Sequence, residues 1–441
     1  MAARYDLMPH QERGADFLAE RHTALLLDEP GAGKTGQAVA AADRIKARRV
    51  LVIAPALVRP HWGNSFQFQQ DIDRPIHVIA DTDADIPLKG DTVTIISHAA
   101  LVSKKRLYAL EHAQPYDAMI VDESAEFRRF EAIRTRNLMG EQGLWRKAKH
   151  RWFLTGTPIV GSAVDLYPLA LGPLSSVYGP APSWWDFASR FAELKPDGFD
   201  GWKAIGIKEP ELLADMLRPI AIRRTLESAG FALPPLTIET GKIELPSAAL
   251  AEAMAGLEDW TPQRMAQVLE DTDEIRDAAI SRVRHALGIA KALFVADAVY
   301  NGGEQVVVFF QHQKVKDLIG QELTNRGLRV SYIDGTITRS NLAAAESWFQ
   351  RGLLDVLLVQ TQAGGLGLTL THSHRVVVAE LPWTATALYQ AIARVHRYTQ
   401  KEPVFAEIMQ ANGCWLDDVL AAVVQRKHAA AQKFLELLTT G

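Results

Sequence analysis

Thr23 to Arg49 reads TALLLDEPGAGKTGQAVAAADRIKARR. Thr23 to Glu29 is an apolar run dense enough in leucine for a strand covered on both faces. Gly31-Ala32-Gly33-Lys34-Thr35 follows, and Ala38 to Arg49 then spaces its apolar residues as a helix does. A strand, a glycine turn and a helix in that order form the context of a phosphate loop. Gly31 and Gly33 let backbone N–H groups wrap phosphate oxygens, and the helix N-terminus adds a favourable dipole. In this reading Lys34 reaches the β- and γ-phosphates of ATP, and Thr35 ligates Mg²⁺. Asp28 stands where the strict pattern G-x-x-x-x-G-K-T has its first glycine, so the match is to a shorter form.

Outward from this stretch the same alternation continues. Arg49 to Pro55, Thr92 to Ser97, Ala118 to Ser124 and Arg151 to Thr157 read as further buried strands. Val121-Asp122-Glu123 closes one of them. Adjacent carboxylates at a strand's C-terminal end are the expected partners of a phosphate loop, with Asp122 holding Mg²⁺ and Glu123 polarising the attacking water. Thr155-Gly156-Thr157-Pro158 closes another, with hydroxyls placed to link nucleotide state to domain movement. After Leu171 the rhythm breaks. Gly172 to Leu217 is rich in Trp, Pro and polar residues and reads as a helical insertion. Leu217 to Glu239 reads as a connector, and Leu250 to Tyr300 as helical. A second strand series follows at Gln305 to Gln311, Leu328 to Gly335, Asp355 to Thr361 and Arg375 to Leu381. The fold class is therefore α/β, with two doubly wound parallel sheets.

Composition sets outer limits. The chain has 441 residues, 48% hydrophobic and 23% charged, which is globular and enough for two or three domains at about 150 residues each. Lys+Arg of 48 against Asp+Glu of 52 gives a net charge of −4, which excludes a basic coat protein of the histone kind. Any nucleic-acid site must be a local patch. Ser124 to Arg151 is one candidate, with eight Lys/Arg against three Glu. One cysteine, Cys414, forms neither an internal disulfide nor a multi-Cys zinc site, which fits a reducing cytoplasm. No apolar run approaches the ~20 residues of a membrane span. His372 and His374 are spaced like a metal pair, but no carboxylate or Cys lies near them, and they are read as ordinary surface residues. Trp184 and Trp185 are read as part of a local helical core in preference to a nucleic-acid contact. Gln390, Arg394 and Arg397 are three and four apart, the spacing of one helical face.

Taken in order, these segments resemble the superfamily-2 helicases and translocases, specifically the Swi/Snf-family ATPases. LMPHQERGADFL (Leu7 to Leu18) resembles the family's adenine-reading segment, with Gln11 as the carried-over residue. DEPGAGKT (Asp28 to Thr35), VDES (Val121 to Ser124) and LTGTP (Leu154 to Pro158) resemble its first three motifs. IRRTLESAGFALPP (Ile222 to Pro235) resembles its link between lobes. YIDGTITRS (Tyr332 to Ser340), QAGGLGLTL (Gln362 to Leu370) and QAIARVHRYTQ (Gln390 to Gln400) resemble the motifs of its second lobe. The Asp-Glu-Ser form and the AEL-x-W segment (Ala379 to Trp383) point to the HARP-like annealing branch.

The resemblance implies two RecA-like lobes with helical insertions. Lobe 1 would span 1–225, with an insertion at 172–217, and lobe 2 would span 226–441, with an insertion at 245–300. It implies ATP and Mg²⁺ between the lobes. Gln11, Gly31, Gly33, Lys34, Thr35 and Gln390 would contact nucleotide, Thr35 and Asp122 the metal, and Glu123, Lys34, Arg394 and Arg397 would serve catalysis, the arginines as fingers. The implied partner is duplex or branched DNA, with contacts around Pro55 to Trp62, Ser97-His98, Gly335-Thr336 and Gly364-Gly365. The expected protein is a cytoplasmic DNA-dependent ATPase of a bacterium or phage, monomeric without a partner and not membrane-bound. Rival readings are the motor subunit of a restriction or defence complex, and an ATP-driven remodeller of a protein such as RNA polymerase. Ala125 replaces the family's usual His, Gly161 and its neighbours lack an Asn, Thr369 stands for Asn, and Tyr398-Thr399 for Ile-Gly.

Overall fold

The computed structural model describes residues 6–79, 85–174, 183–196, 201–272, 275–361 and 368–439. The chain divides into two compact units, Met1–Phe231 with Ala430–Gly441, and Ala232–Ala429.

The first unit is built on a parallel sheet. Its strands are β1 (Thr23–Leu26), β2 (Arg49–Ala54), β3 (Ile76–Val78), β4 (Thr92–Ser97), β5 (Tyr116–Asp122) and β6 (Ala148–Leu154). A separate two-stranded hairpin, β7 (Glu193–Pro196) with β8 (Trp202–Ile205), comes next, and β9 (Ala221–Ile222) completes the large sheet. The order is β3-β4-β2-β5-β6-β1-β9. Side chains alternate between its two faces because the strand period is two. Leu51 and Ile53 of β2 enter one apolar cluster, and Val50, Val52 and Ala54 enter the other. Both faces are covered, as the uninterrupted Val/Ile runs require.

The second unit repeats the plan with β10 (Leu236–Ile243), β11 (Val306–Phe310), β12 (Val330–Ile333), β13 (Val356–Gln360), β14 (Arg375–Val378) and β15 (Val404–Ala411), all parallel, in the order β10-β15-β14-β11-β13-β12. Val307 and Phe309 face one core cluster; Val306, Val308 and Phe310 face the other. A 25-residue helix, Ala278–Gly302, leads into β11. Asp277 caps its start by accepting from Ala279 N at 2.8 Å and Ile280 N at 3.1 Å. Gly303, at φ 66°, ends it in the left-handed region that favours glycine.

Several elements depart from the sequence reading. Leu217 to Glu239, expected as a connector, contains β9 and the start of β10. The insertion after Leu171 holds a β-hairpin between the helices Trp184–Phe191 and Pro210–Leu217. The first unit takes in Leu226 to Phe231 and Ala430–Gly441, which the sequence assigned to the second lobe. The reason lies in packing. Leu226 N donates to Glu29 Oε2 at 2.8 Å, the Phe231 ring meets His10, and Phe434, Leu435 and Leu438 join the first unit's core. Residues 362–367 of QAGGLGLTL, including Gly364 and Gly365, lie outside the described residues.

Candidate active site

β5, β6 and β1 are neighbours and parallel, so their C-terminal ends share one edge of the sheet. Leu26 is level with Leu154, and Leu154 with Asp122. The glycine loop after β1, the Thr155–Pro158 turn after β6 and Glu123 after β5 therefore emerge at the same height. Ligands of open α/β sheets bind at such an edge.

The loop takes its shape from its glycines. Gly31 has φ 96° and Gly33 has φ 75°, both left-handed, and the helix Lys34–Arg44 begins immediately after. A Cβ at Gly33 would collide with the Gln11 side-chain amide, so Gln11 lies directly against the loop. Gln11 also accepts from Met8 N at 2.9 Å, which fixes it at the start of the helix Pro9–Ala19. Next to it, buried His10 places Nε2 2.9 Å from Ala32 O. A Cβ at Gly156 would meet Pro30 Cδ at 2.9 Å, so the Thr-Gly-Thr turn packs on the loop from the other side.

Lys34 Nζ donates to Asp28 O at 2.8 Å and Glu29 O at 3.3 Å. Dense surrounding protein pushes its ammonium below the usual lysine range, and the carboxylates of Glu123, Asp28 and Asp122 pull it back up. Lys34, Asp122 and Glu123 thus form one electrostatic cluster. Asp122 Oδ2 accepts from Trp62 Nε1 at 2.8 Å, and its carbonyl lies 2.9 Å from His98 Nε2. Burial holds His98 below the ordinary histidine range. Two residues that the resemblance assigned to DNA contact, Trp62 and His98, therefore also fix the strand end that carries Asp122. Glu123 has φ 48° and ψ 50°, a sparsely populated conformation for a side-chain-bearing residue, and such strain concentrates at functional sites.

Asp28 is the acid that replaced a loop glycine. It is fully buried and clasped by Arg224, whose Nη2 lies 2.6 Å from Oδ2, and Gln37 adds a bond of 3.0 Å. Arg224 Nη2 also donates to Gln37 Oε1 at 2.8 Å. Arg223 donates to Leu27 O at 3.1 Å and pairs with Glu29 at 3.6 Å. The loop is therefore held from beneath by the segment after β9. Sequence reasoning missed this function of Arg223 and Arg224. The available signal was two consecutive cations facing two consecutive acids, Asp28-Glu29.

Ala125, in the 3-10 turn Ser124–Phe127, lines a small crevice with Ser124, Thr155, Pro158 and Asp165. Near Gly161, Asp165 accepts from Val160 N at 2.7 Å and Gly161 N at 3.0 Å.

The second unit holds Gln390, Arg394 and Arg397, but not on one helix face. The helix Ala385–Ile392 ends before both arginines, which sit in the turns that follow. A tertiary bond takes the Arg394 carbonyl, to which Leu370 N donates, and the His396 side chain places Nε2 2.8 Å from Pro234 O. Arg397 donates to Ala393 O at 2.9 Å and Thr369 Oγ1 at 3.0 Å. Thr369, in place of Asn, is an acceptor for Arg397. Burial pushes the Arg397 guanidinium below its ordinary range, countered first by Glu346. His372 and His374 are engaged by Gln305 and Glu304, and among the described residues no His, Cys and carboxylate group fit for a metal is found. Much of the basic segment Ser124 to Arg151 is engaged internally: Arg134 with Glu126, Lys149 with Asp117, and Arg151 with the carbonyls of Trp145 and Ala148.

The left-handed glycines, the half-buried Lys34 ammonium and the two carboxylates fit a nucleoside triphosphate with its divalent cation. Thr157 Oγ1, buried with no hydrogen-bond partner among the described residues, leaves a hydroxyl for such a ligand. Residues 10–250 match the SNF2-related domain, and residues 290–399 match the helicase conserved C-terminal domain. The DNA annealing helicase and endonuclease ZRANB3 of Bos taurus is 28% identical over 437 residues, covering 96% of this chain and 40% of that protein. The SWI/SNF-related matrix-associated actin-dependent regulator of chromatin subfamily A-like protein 1 of Xenopus tropicalis is 29% identical over 430 residues, covering 96% and 44%. The chain spans less than half the length of these curated relatives. The solved Sulfolobus solfataricus SWI2/SNF2 ATPase core in complex with dsDNA aligns at a TM-score of 0.46 and 17% identity, covering 99% of this chain and 97% of that one. Among the described residues no helix is long and apolar enough to cross a membrane.

Proposed function

The chain belongs to the SNF2-related family of ATPases, and from that membership we propose that it is a DNA-dependent motor that couples ATP hydrolysis to movement on duplex or branched DNA. The observation that carries the hydrolytic part is the joint emergence of the glycine loop, Asp122-Glu123 and Thr155–Pro158 at one level of one sheet edge. The DNA part rests on the relatives, whose names describe annealing helicases and a chromatin regulator.

In this reading the N–H groups of the loop and the Lys34 ammonium take the β- and γ-phosphates, and Gln11 reads the adenine. Thr35 and Asp122 would hold Mg²⁺. When bound, the ion draws charge from the phosphate oxygens and stabilises the developing transition state. Glu123 orients the attacking water and takes up its proton. Arg394 and Arg397 act as fingers on the transferred phosphoryl group, and Gln390 contributes to nucleotide binding. Movement follows when DNA and nucleotide favour different arrangements of the two units.

The deciding measurement is steady-state ATP turnover against single-stranded, duplex and forked DNA and against RNA, repeated over a salt series. The expected result is low basal turnover, raised by duplex or forked DNA and less so as salt increases. Equal turnover with and without every nucleic acid would overturn the DNA reading and favour a motor that works on protein.

A further inference from the structure

The side-chain amide of Gln69 is not needed to hold its own helix. Gln69 closes the helix Arg59–Gln69, and the neighbouring residue fixes that end. Gln70 N donates to Phe66 O at 3.1 Å, and Gln70 Oε1 accepts from Arg74 Nε at 3.1 Å. Gln69 Oε1 is nevertheless buried, with no hydrogen-bond partner among the described residues. An acceptor taken out of water and left unpaired is destabilising, and most buried polar groups avoid that state.

Its position supplies a reason. A Cβ at Gly36 would meet Gln69 Oε1 at 3.4 Å and Leu7 Cδ2 at 3.6 Å. Gly36 is half-buried and directly follows Lys34-Thr35, so the orphaned oxygen stands at the start of the helix that the phosphate loop opens. Trp62 lies seven residues before Gln69, two turns back on the same helix face. That face therefore reaches Asp122 through Trp62 and the loop helix through Gln69.

Gln11 supplies the complementary half. Gly33 and Gly36 are three residues apart, neighbours across one helical turn. Gln11 stands against the first and Gln69 against the second. Met8 N donates to Gln11 Oε1 at 2.9 Å, so that oxygen is already engaged and the amide turns Nε2 toward Gly33. The two side chains offer one donor, Gln11 Nε2, and one acceptor, Gln69 Oε1. Between them lie bare glycine backbone and the half-buried Leu7.

We infer that Gln69 Oε1 accepts a hydrogen bond from the 6-amino group of adenine and so sets the choice of nucleotide base. The inference rests on the nucleotide reading above. Adenine presents N7 as an acceptor beside its 6-amino donor, whereas a 6-oxopurine presents two acceptors there. A donor next to an acceptor complements the first and sets Gln69 Oε1 against an oxygen in the second. A site whose polar group is left unpaired rejects that ligand. The ribose hydroxyls are the other donors of the nucleotide, but glycine backbone and Leu7 form an apolar seat that suits a flat ring.

Calorimetric titration of the full chain with ADP, IDP and 2′-deoxy-ADP, each with Mg²⁺, tests this without hydrolysis. IDP carries an oxygen in place of the 6-amino group. Wild type is expected to bind ADP about ten-fold more tightly than IDP, the scale of one unpaired hydrogen-bonding group. Its affinity for 2′-deoxy-ADP should stay within about two-fold of that for ADP, because the 2′-hydroxyl has no part in the contact. Gln69→Leu keeps the side chain's bulk and removes the acceptor. It should weaken ADP about ten-fold and leave IDP nearly unchanged, which abolishes the preference. Gln69→Glu keeps an oxygen acceptor and should keep the preference for ADP. Wild type that binds ADP and IDP equally overturns the inference. So does a Gln69→Leu variant with an unchanged preference, or one that loses ADP and IDP alike, as a glutamine with a purely structural role would. A wild-type preference against 2′-deoxy-ADP that disappears in Gln69→Leu gives the acceptor to the ribose and overturns the base assignment. Wild type that binds none of the three overturns the nucleotide reading itself, and this inference with it.

Discussion

Both units bury ion pairs, and one pair in each serves a different end. In the first, Arg224 and Asp28 are 2.6 Å apart with side-chain exposures of 2% and 0%, and their partners are Gln37 and the phosphate loop. In the second, Lys291 and Asp417 are 3.0 Å apart at 4% and 10%; Lys291 also donates to Met409 O, and Asp417 accepts from Ala411 N. A buried pair adds little net stability, because desolvation offsets attraction, but it punishes any loss of geometry. In the first unit that strictness falls on the nucleotide loop. In the second it falls on a joint between β15 and the helices Ala278–Gly302 and Trp415–Leu438, while Arg397, one of the two arginines proposed as fingers, is held by a carbonyl and a threonine. The first unit is therefore a prebuilt site, and the second a rigid carrier of two charged groups.

The sharpest way to break this contrast is at the chemistry itself. Lys34→Ala should lower ATP turnover by about 10³-fold or more, and Glu123→Gln should do so while retaining nucleotide binding. A Glu123→Gln protein that hydrolyses ATP at the wild-type rate would remove Glu123 from the mechanism. In the second unit, Arg397→Ala should lower DNA-stimulated turnover by about 10³-fold yet leave ATP affinity within a few-fold, since the first unit supplies most of the ground-state contacts. Arg394→Ala should act in the same sense. Normal rates in both would reduce the second unit to a passive carrier.

The ion pairs come next. Arg224→Ala strands Asp28 and should destabilise the first unit by about 3–5 kcal/mol, with Asp28→Asn restoring part of the loss. Lys291→Ala should carry a similar penalty in the second unit. Denaturant unfolding measures both, and ATP titration separates them, because only Arg224→Ala is expected to weaken nucleotide binding. Equal ATP affinities would erase the distinction drawn above.

The smallest effect is a pH dependence confined to the second unit. His428 stacks on Tyr389 at 3.5 Å, and burial lowers its pKa from 6.5 to about 4. The unfolded chain then binds more protons than the folded one between those values. Stability should be full above about pH 6.5, fall as pH drops, and reach its lower level below about 4. His428→Phe should flatten that window in denaturant midpoints; an unchanged slope would remove His428 as its source.

Particular residues show where the sequence was legible. β2, β4, β11 and β13 were readable because central parallel strands are continuous apolar runs. β10 was not, since its edge position alternates exposed and half-buried residues through LTIETGKI. β9, two residues long, carries too little pattern for any period. The helical face of Gln390, Arg394 and Arg397 failed because the helix ends at Ile392 and the Arg394 carbonyl accepts from Leu370 N in place of a helical partner.

By itself the sequence determined the local chemistry: glycines free to adopt φ above zero at 31 and 33, the ammonium that follows them, the paired carboxylates at a strand end, and the apolar runs that make two sheets. Those properties belong to neighbouring residues, and short-range sterics and periodicity suffice to specify them. Only the tertiary structure decided that Asp28 would be clasped by Arg224, 196 positions away, that Trp62 and His98 would hold Asp122, and that Trp185 would meet Trp202 in the open. Each of these depends on which strands become neighbours. Pairing between distant segments is set by the burial of whole faces, a property that no short stretch contains.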